Sequence, residues 1–214
     1  MTMIASVLHL DRQAFKVLRI TDPYSLHRVV YSLYPDMRDA AAKRGSTASG
    51  ILYADKGGDC LERRILLLSD RPPADQLPGG HGRVESRPLP DHFLDHDHYR
   101  FQVIVNPTRR DNASRKLLPV KGRSEIAQWF QDRSRSNWGF EVIPQTLQVE
   151  RVEVLRFQDK QDHPVTQAQA HLQGLLTVRD RDQFQASFRQ GIGRGRAFGC
   201  GLLQIVPVIT NPFA

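Results

Sequence analysis

Cysteine is scarce in this sequence: there are two, Cys60 and Cys200, with no CxxC spacing between them. That argues against a disulfide framework or a thiolate metal site and leaves both as expected free thiols. Long apolar runs are absent too. None approaches the roughly 20 residues that a bilayer-spanning helix needs, so no membrane span is expected. The opening stretch, MTMIASVLHLDRQ, lacks a basic segment ahead of its apolar residues and alternates apolar with polar. It reads as a strand rather than a secretory signal, and cytoplasmic residence is the expectation.

What is present is positive charge. Against 23 acidic residues stand 30 lysines and arginines, a formal net charge of +7 and a pI near 9.8, which favours a polyanionic partner such as nucleic acid. The excess is concentrated. Between Asn106 and Arg123 lie Arg109, Arg110, Arg115, Lys116, Lys121 and Arg123, with Asp111 as the sole acidic residue. Pro107, Asn112, Ser114 and Gly122 in the same stretch suit an exposed turn that reaches outward. A solvated surface loop with no partner is the plain alternative for such a run.

The 214 residues, 40% hydrophobic and 25% charged, allow one large domain or two of about 100 residues. Residues 2 to 10 read as a strand. Asp22-Pro23 reads as a helix start, with aspartate as N-cap and proline in the first turn, for a helix from Tyr24 to Tyr34. Ile51 to Ala54 and Glu62 to Ser69 read as strands joined across DKGGD, a turn signal, and fit a hairpin. From Ser69 to His98 the chain is rich in proline and glycine, holds four of the eight histidines and shows almost no periodicity; it is expected to contain an interdomain linker. Beyond it, YRFQVIVN places Tyr99, Phe101, Val103 and Val105 on one strand face. Ser124 is a candidate cap for a helix whose Ile126, Trp129, Phe130 and Arg133 stand at helical spacing, with Trp129 and Phe130 expected in the core. TLQVERVEVLRF and HLQGLLTV read as strands, Asp180 caps a helix that buries Phe184 and Phe188, and LLQIVPVI closes as a strand.

The second half thus reads β, α, β, β, α, β, and the first half β, α, β, β with a faint second helix. The expectation is an α+β chain of two ferredoxin-like (RRM-like) units in tandem, over residues 1–90 and 91–214.

Between the last helix and the last strand lies GIGRGRAFGCG, with Gly191, Gly193, Gly195, Gly199 and Gly201 in 11 residues and two arginines, Arg194 and Arg196. A dinucleotide fingerprint follows a strand and opens a helix, whereas this segment follows a helix and opens a strand, and no Walker lysine succeeds it. It is read as a loop whose backbone approaches another surface closely, with Arg194 and Arg196 offered to phosphate and Gly199 and Gly201 serving the fold.

GIGRGRAFGCGLL before the last strand resembles the C-terminal glycine-rich signature of CRISPR-associated repeat-processing endoribonucleases of the RAMP superfamily. The likeness is to their CasE branch, which serves the subtype I-E Cascade complex. DPYSLHRVVYSLYPD at 22–36 is similar to the first helix of that branch, with tyrosine and histidine three apart, and FQVIVNPTRR and the basic stretch leading to EIAQWF extend the likeness over almost the whole chain. The resemblance implies two ferredoxin-like domains and cleavage, with no metal or cofactor, at the base of a repeat stem-loop in precursor crRNA. It also implies a product retained in a Cascade-type complex, so the expected partners are the repeat stem-loop RNA, crRNA and other Cascade subunits.

The first helix supports that reading by its own geometry. At 100° per residue Leu26, Val29, Val30 and Leu33 form a core stripe, while Tyr24, His27, Tyr31 and Tyr34 gather on another. Cleavage by the RNA's own 2′-hydroxyl needs a base for its proton and an acid for the departing 5′-oxygen, and imidazole can serve as either. Taken without the resemblance, His27 reads as a surface or packing residue; with it, His27 and Tyr24 are the candidate catalytic pair, their acid and base roles left open. A rival cluster, DHFLDHDH, could supply His92, Asp95, His96, Asp97 and His98 as metal ligands for a metal-dependent hydrolase, but it sits in the expected linker. A non-catalytic RNA-binding subunit is the other alternative.

Overall fold

The computed structural model describes residues 2–35, 49–59 and 61–208. β1 (Ile4–Asp11) leads into a short helix, α1 (Arg12–Val17), in a stretch to which the sequence alone assigned no element, and then into α2 (Pro23–Ser32). β2 (Ile51–Gly58) and β3 (Glu62–Ser69) form the expected antiparallel hairpin. The stretch expected to be linker holds a further strand, β4 (Arg83–Pro88), which pairs with β1. The first sheet therefore runs β2-β3-β1-β4, antiparallel throughout. This is the ferredoxin strand order, with coil at 70–82 where that fold carries its second helix.

The second unit opens with β5 (His98–Val105). The basic stretch is not a loop but a small two-stranded hairpin, β6 (Thr108–Arg110) and β7 (Leu117–Pro119). α3 (Arg123–Asn137) follows; its N-cap is Gly122 at φ 86°, with no side-chain cap, so Ser124 lies inside the helix instead of capping it. β8 (Phe140–Val142), β9 (Gln148–Gln158), β10 (Pro164–Val178), α4 (Arg181–Gln190) and β11 (Gln204–Pro207) complete the chain. Asp180 caps α4 as expected, accepting from the Gln183 amide at 2.9 Å. The sheet order is β11-β5-β10-β8, and β9 pairs with β10 along from β8. The ferredoxin order recurs, its second strand being split into β8 and β9.

Pleating explains how the units join. Successive strand residues point to opposite faces, so β2 sends Ile51 and Tyr53 one way and Leu52 and Ala54 the other, with all four buried. Ile51 and Tyr53 join Leu8, Ile65, Leu67 and the apolar stripe of α2 in a core belonging to the first unit. Leu52, Ala54, Leu68 and Met3 instead join Tyr99, Phe101, Phe130 and Phe184 in a core that crosses into the second. Tyr99, Phe101, Val103 and Val105 are all buried, as their alternation predicts. No helix among the described residues is long and apolar enough to cross a membrane.

Candidate functional site

The site starts at the N-terminus of α2. Asp22 and Ser25 form a reciprocal capping box: the Asp22 carboxylate accepts from the Ser25 amide at 2.7 Å, and Ser25 Oγ accepts from the Asp22 amide at 3.0 Å. This satisfies helix-end amides and fixes where the helix begins. Leu26, Val29, Val30 and Leu33 sink into the core. Tyr24, His27 and Tyr31 lie half-buried on the other stripe. Tyr34 does not join them: it is buried, with its hydroxyl on Ser69 Oγ at 3.2 Å, because the helix ends at Ser32 and the chain turns inward.

The His27 ring is flanked by aromatic neighbours. The Tyr31 ring centre is 4.1 Å away, Tyr24 lies nearly parallel at 6.3 Å, and Phe198 sits at 6.0 Å. Phe198 belongs to the glycine-rich loop. The helix α2 and the last loop, about 170 residues apart along the chain, thus share one site, a proximity that sequence spacing does not reveal.

Within that loop all five glycines take positive φ. At Gly199 an added Cβ would lie 3.3 Å from the Tyr53 ring, and at Gly201 it would lie 2.4 Å from the Ile192 carbonyl, so both serve packing. Arg194 is exposed, and its backbone bridges to Asn106, directly ahead of the basic hairpin. Arg196 is exposed as well, but it donates to the Gln190 carbonyl at 2.7 Å, closing the end of α4.

Arg109, Arg110, Arg115, Lys116, Lys121 and Arg123 are all exposed. Asp111 organises the turn between β6 and β7, accepting from the amide and hydroxyl of Ser114 at 2.8 and 2.6 Å. Those bonds hold its carboxyl below the usual carboxylate range. Arg110 donates to the Arg115 carbonyl at 2.9 Å, and Trp129 on α3 donates to the Thr108 carbonyl at 3.1 Å, tying the hairpin to the second unit. Arg123 donates to the Val149 carbonyl. The structure thus links the basic hairpin to the glycine-rich loop and that loop to His27.

The histidine and aspartate cluster disperses. His92 pairs with Asp95, Asp97 takes Arg181 at 2.6 Å, and His98 meets Thr177 at 3.1 Å. Among the described residues no group of three or more His, Cys, Asp or Glu side chains is placed to hold a metal ion. Cys200 is a free, buried thiol whose pKa burial pushes up to about 12, while Cys60 lies outside the described residues.

Sequence reading missed a cleft of about 530 Å³ between the units, lined by Lys56, Gln102, Gln204, Glu153 and His171 among others. Lys56 bridges its walls, donating to Gln102 and Gln204 at 2.7 and 2.9 Å. No motif could mark it, since its residues come from separate strands of both sheets.

The sequence matches the family model described as CRISPR associated protein over residues 3–207. It is 26% identical over 200 residues to the CRISPR-associated endoribonuclease Cse3 of Thermus thermophilus, an alignment covering 88% of this chain and 92% of that one. The structure of Thermus thermophilus Cse3 bound to an RNA representing a pre-cleavage complex superposes with a TM-score of 0.78 at 22% identity, over 97% of this chain and 100% of that one. A chain of a CRISPR RNA-guided surveillance complex superposes with a TM-score of 0.66 at 19% identity, covering 96% and 100%. At such identities the structural likenesses show the shared fold.

Proposed function

Because the chain belongs to the CRISPR-associated protein family, we propose that it is an endoribonuclease that binds CRISPR repeat stem-loops and cuts precursor crRNA into guide units. The observation that carries this reading is the placement of His27 and Tyr24 beside a glycine-rich loop whose backbone bridges to Asn106, just ahead of an exposed basic hairpin. A proton-transfer group thereby stands next to two cationic elements suited to a phosphate backbone. The names of the relatives, an endoribonuclease and an RNA-bound pre-cleavage complex, agree with it.

The chemistry follows from the groups present. Arg109, Arg110, Arg115, Lys116, Lys121 and Arg123 grip the stem through its phosphates, and Arg194 and Arg196 continue the track toward α2. His27 then exchanges protons with the attacking 2′-hydroxyl or the departing 5′-oxygen, with Tyr24 orienting the phosphate or sharing that transfer. Attack by the 2′-oxygen on phosphorus breaks the bond to the 5′-oxygen and leaves a 2′,3′-cyclic phosphate and a 5′-hydroxyl. No bound metal or cofactor enters this route. The two units, 1–90 and 91–214, contribute the helix and the basic elements respectively. The product stays bound in a Cascade-type complex in the cytoplasm, in keeping with the surveillance-complex chain that shares the fold.

The test uses repeat hairpin RNA. His27→Ala should lower the cleavage rate by roughly 10² to 10⁴, the usual loss on removing a general acid or base, with hairpin binding retained. EDTA should leave the wild-type rate unchanged, and a 2′-deoxy nucleotide before the cut should block it. Full activity of the His27 variant, or activity abolished by EDTA, would overturn the assignment.

A further inference from the structure

A loop with five glycines at positive φ has little conformational preference of its own, and holding it in one shape costs more backbone entropy than other sequences do. Something outside the loop must define it. Three buried polar side chains converge on it from two directions. Tyr53 on β2 of the first sheet donates its hydroxyl to the Ala197 carbonyl at 2.8 Å. Gln169 on β10 of the second sheet donates to the next carbonyl, that of Phe198, at 3.1 Å. Gln167, two residues earlier on the same strand, donates to Cys200 Sγ at 3.3 Å. Tyr53 is 1% exposed, Gln167 4% and Gln169 7%. Buried amides and phenols persist where their hydrogen bonds are made, and here two of the three bonds go to adjacent backbone carbonyls of one turn.

That turn carries Phe198. Its ring lies 6.0 Å from that of His27 and 4.8 Å, edge-on, from the buried Phe157. With adjacent carbonyls held by Tyr53 and Gln169, the ring has a fixed origin, and Phe157 limits where it can go. The imidazole has this ring and that of Tyr31, at 4.1 Å, as aromatic neighbours. We propose that Tyr53 and Gln169 are positioning residues for His27, acting through the backbone of the turn at Ala197 and Phe198 and through the Phe198 ring. The proposal rests on the reading of His27 as the proton-transfer group. It gives the glycine-rich loop a second role beside RNA contact, that of a rigid wall for the imidazole, assembled only when both units are present.

Burial also pushes the Tyr53 phenol well above its ordinary pKa, so its hydroxyl keeps its proton throughout any working range and the bond to Ala197 does not titrate away.

The test uses the full chain with Tyr53→Phe and Gln169→Met, which delete one donor each with little change of shape. Tyr34→Phe is the control, since it also deletes a buried hydroxyl bond, to Ser69, but at the far end of α2. The first readout is the His27 ring signal in NMR, assigned by its loss in His27→Gln, whose shift depends on the flanking aromatic rings. The others are the single-turnover cleavage rate of repeat hairpin and the Kd for its 2′-deoxy form. Both positioning variants should move the His27 signal and slow cleavage by roughly 10- to 100-fold, the scale of a sub-ångström to ångström misplacement, with Kd changed less than about twofold. Tyr34→Phe should lower Tm without doing either. An unmoved His27 signal, an unchanged rate, or an equal effect from Tyr34→Phe would overturn the proposal. Wild-type protein that leaves repeat RNA intact would overturn the nuclease reading separately, and the NMR signal would still decide whether Tyr53 and Gln169 hold His27.

Discussion

Arg194 and Arg196 look interchangeable in GIGRGRAFGCG, yet they touch different things. Arg194 points into solvent beside the bridge to Asn106. Arg196 donates to the Gln190 carbonyl, and its stem lies 3.1 Å from where a Cβ on Gly191 or Gly201 would sit. Arg194→Ala should therefore weaken hairpin binding with Tm unchanged, because exposed loop side chains contribute little to folding. Arg196→Ala should lower Tm as well, since it frees a helix-end carbonyl and strips packing from two glycines. Thermal melts and hairpin titrations of the two single variants check this; equal Tm values would make the arginines equivalent. The sequence marks the loop by composition alone. It cannot separate the arginines, because the difference arises only when the folded chain lays one stem across Gly201.

The hairpin of β6 and β7 is the element built for reach. Replacing Arg115 and Lys116 with alanine should weaken repeat-hairpin binding and lower the slope of log K against log salt by about two, near one unit for each lost phosphate contact. An unchanged slope would mean that the hairpin is merely solvated. Its turn also has an acid limit. Asp111 has a folded pKa depressed by its bonds to Ser114, so its support for the turn is present above the unfolded carboxylate pKa and fades as pH falls through the depressed folded value. Hydrogen exchange at the Ser114 amide, corrected for the intrinsic pH effect, should lose protection across that acid window and not near neutrality. Elements with an apolar rhythm were readable beforehand: β5 from Tyr99 to Val105, and α2 from Leu26 to Leu33. β4 was not, because RVESRP has Val84 as its one apolar residue besides proline and earns its place through backbone pairing with β1. The hairpin reads as a loop in the sequence because its strands are three residues each, too short for alternation to register.

At the scale of the whole molecule, the first sheet has no spare face. One side packs against α2, and Leu52, Ala54 and Leu68 on the other enter the core shared with Tyr99 and Phe101. Leu68→Ala should cost about 2 to 5 kcal/mol, the range for truncating a buried leucine, and the loss should appear as one cooperative transition at lower temperature. Two separated transitions would show that the units melt independently. The covalent link between them, by contrast, crosses from β4 to β5 through the short stretch at 89–97. Cutting there removes no strand and no site residue, yet exposes an oily surface on each piece that only the other can cover. The chain thus lends itself to splitting: its halves, made separately, should be aggregation-prone and inert, and co-expressed should find each other and rebuild the site, so that the proposed cleavage would depend on two genes rather than one.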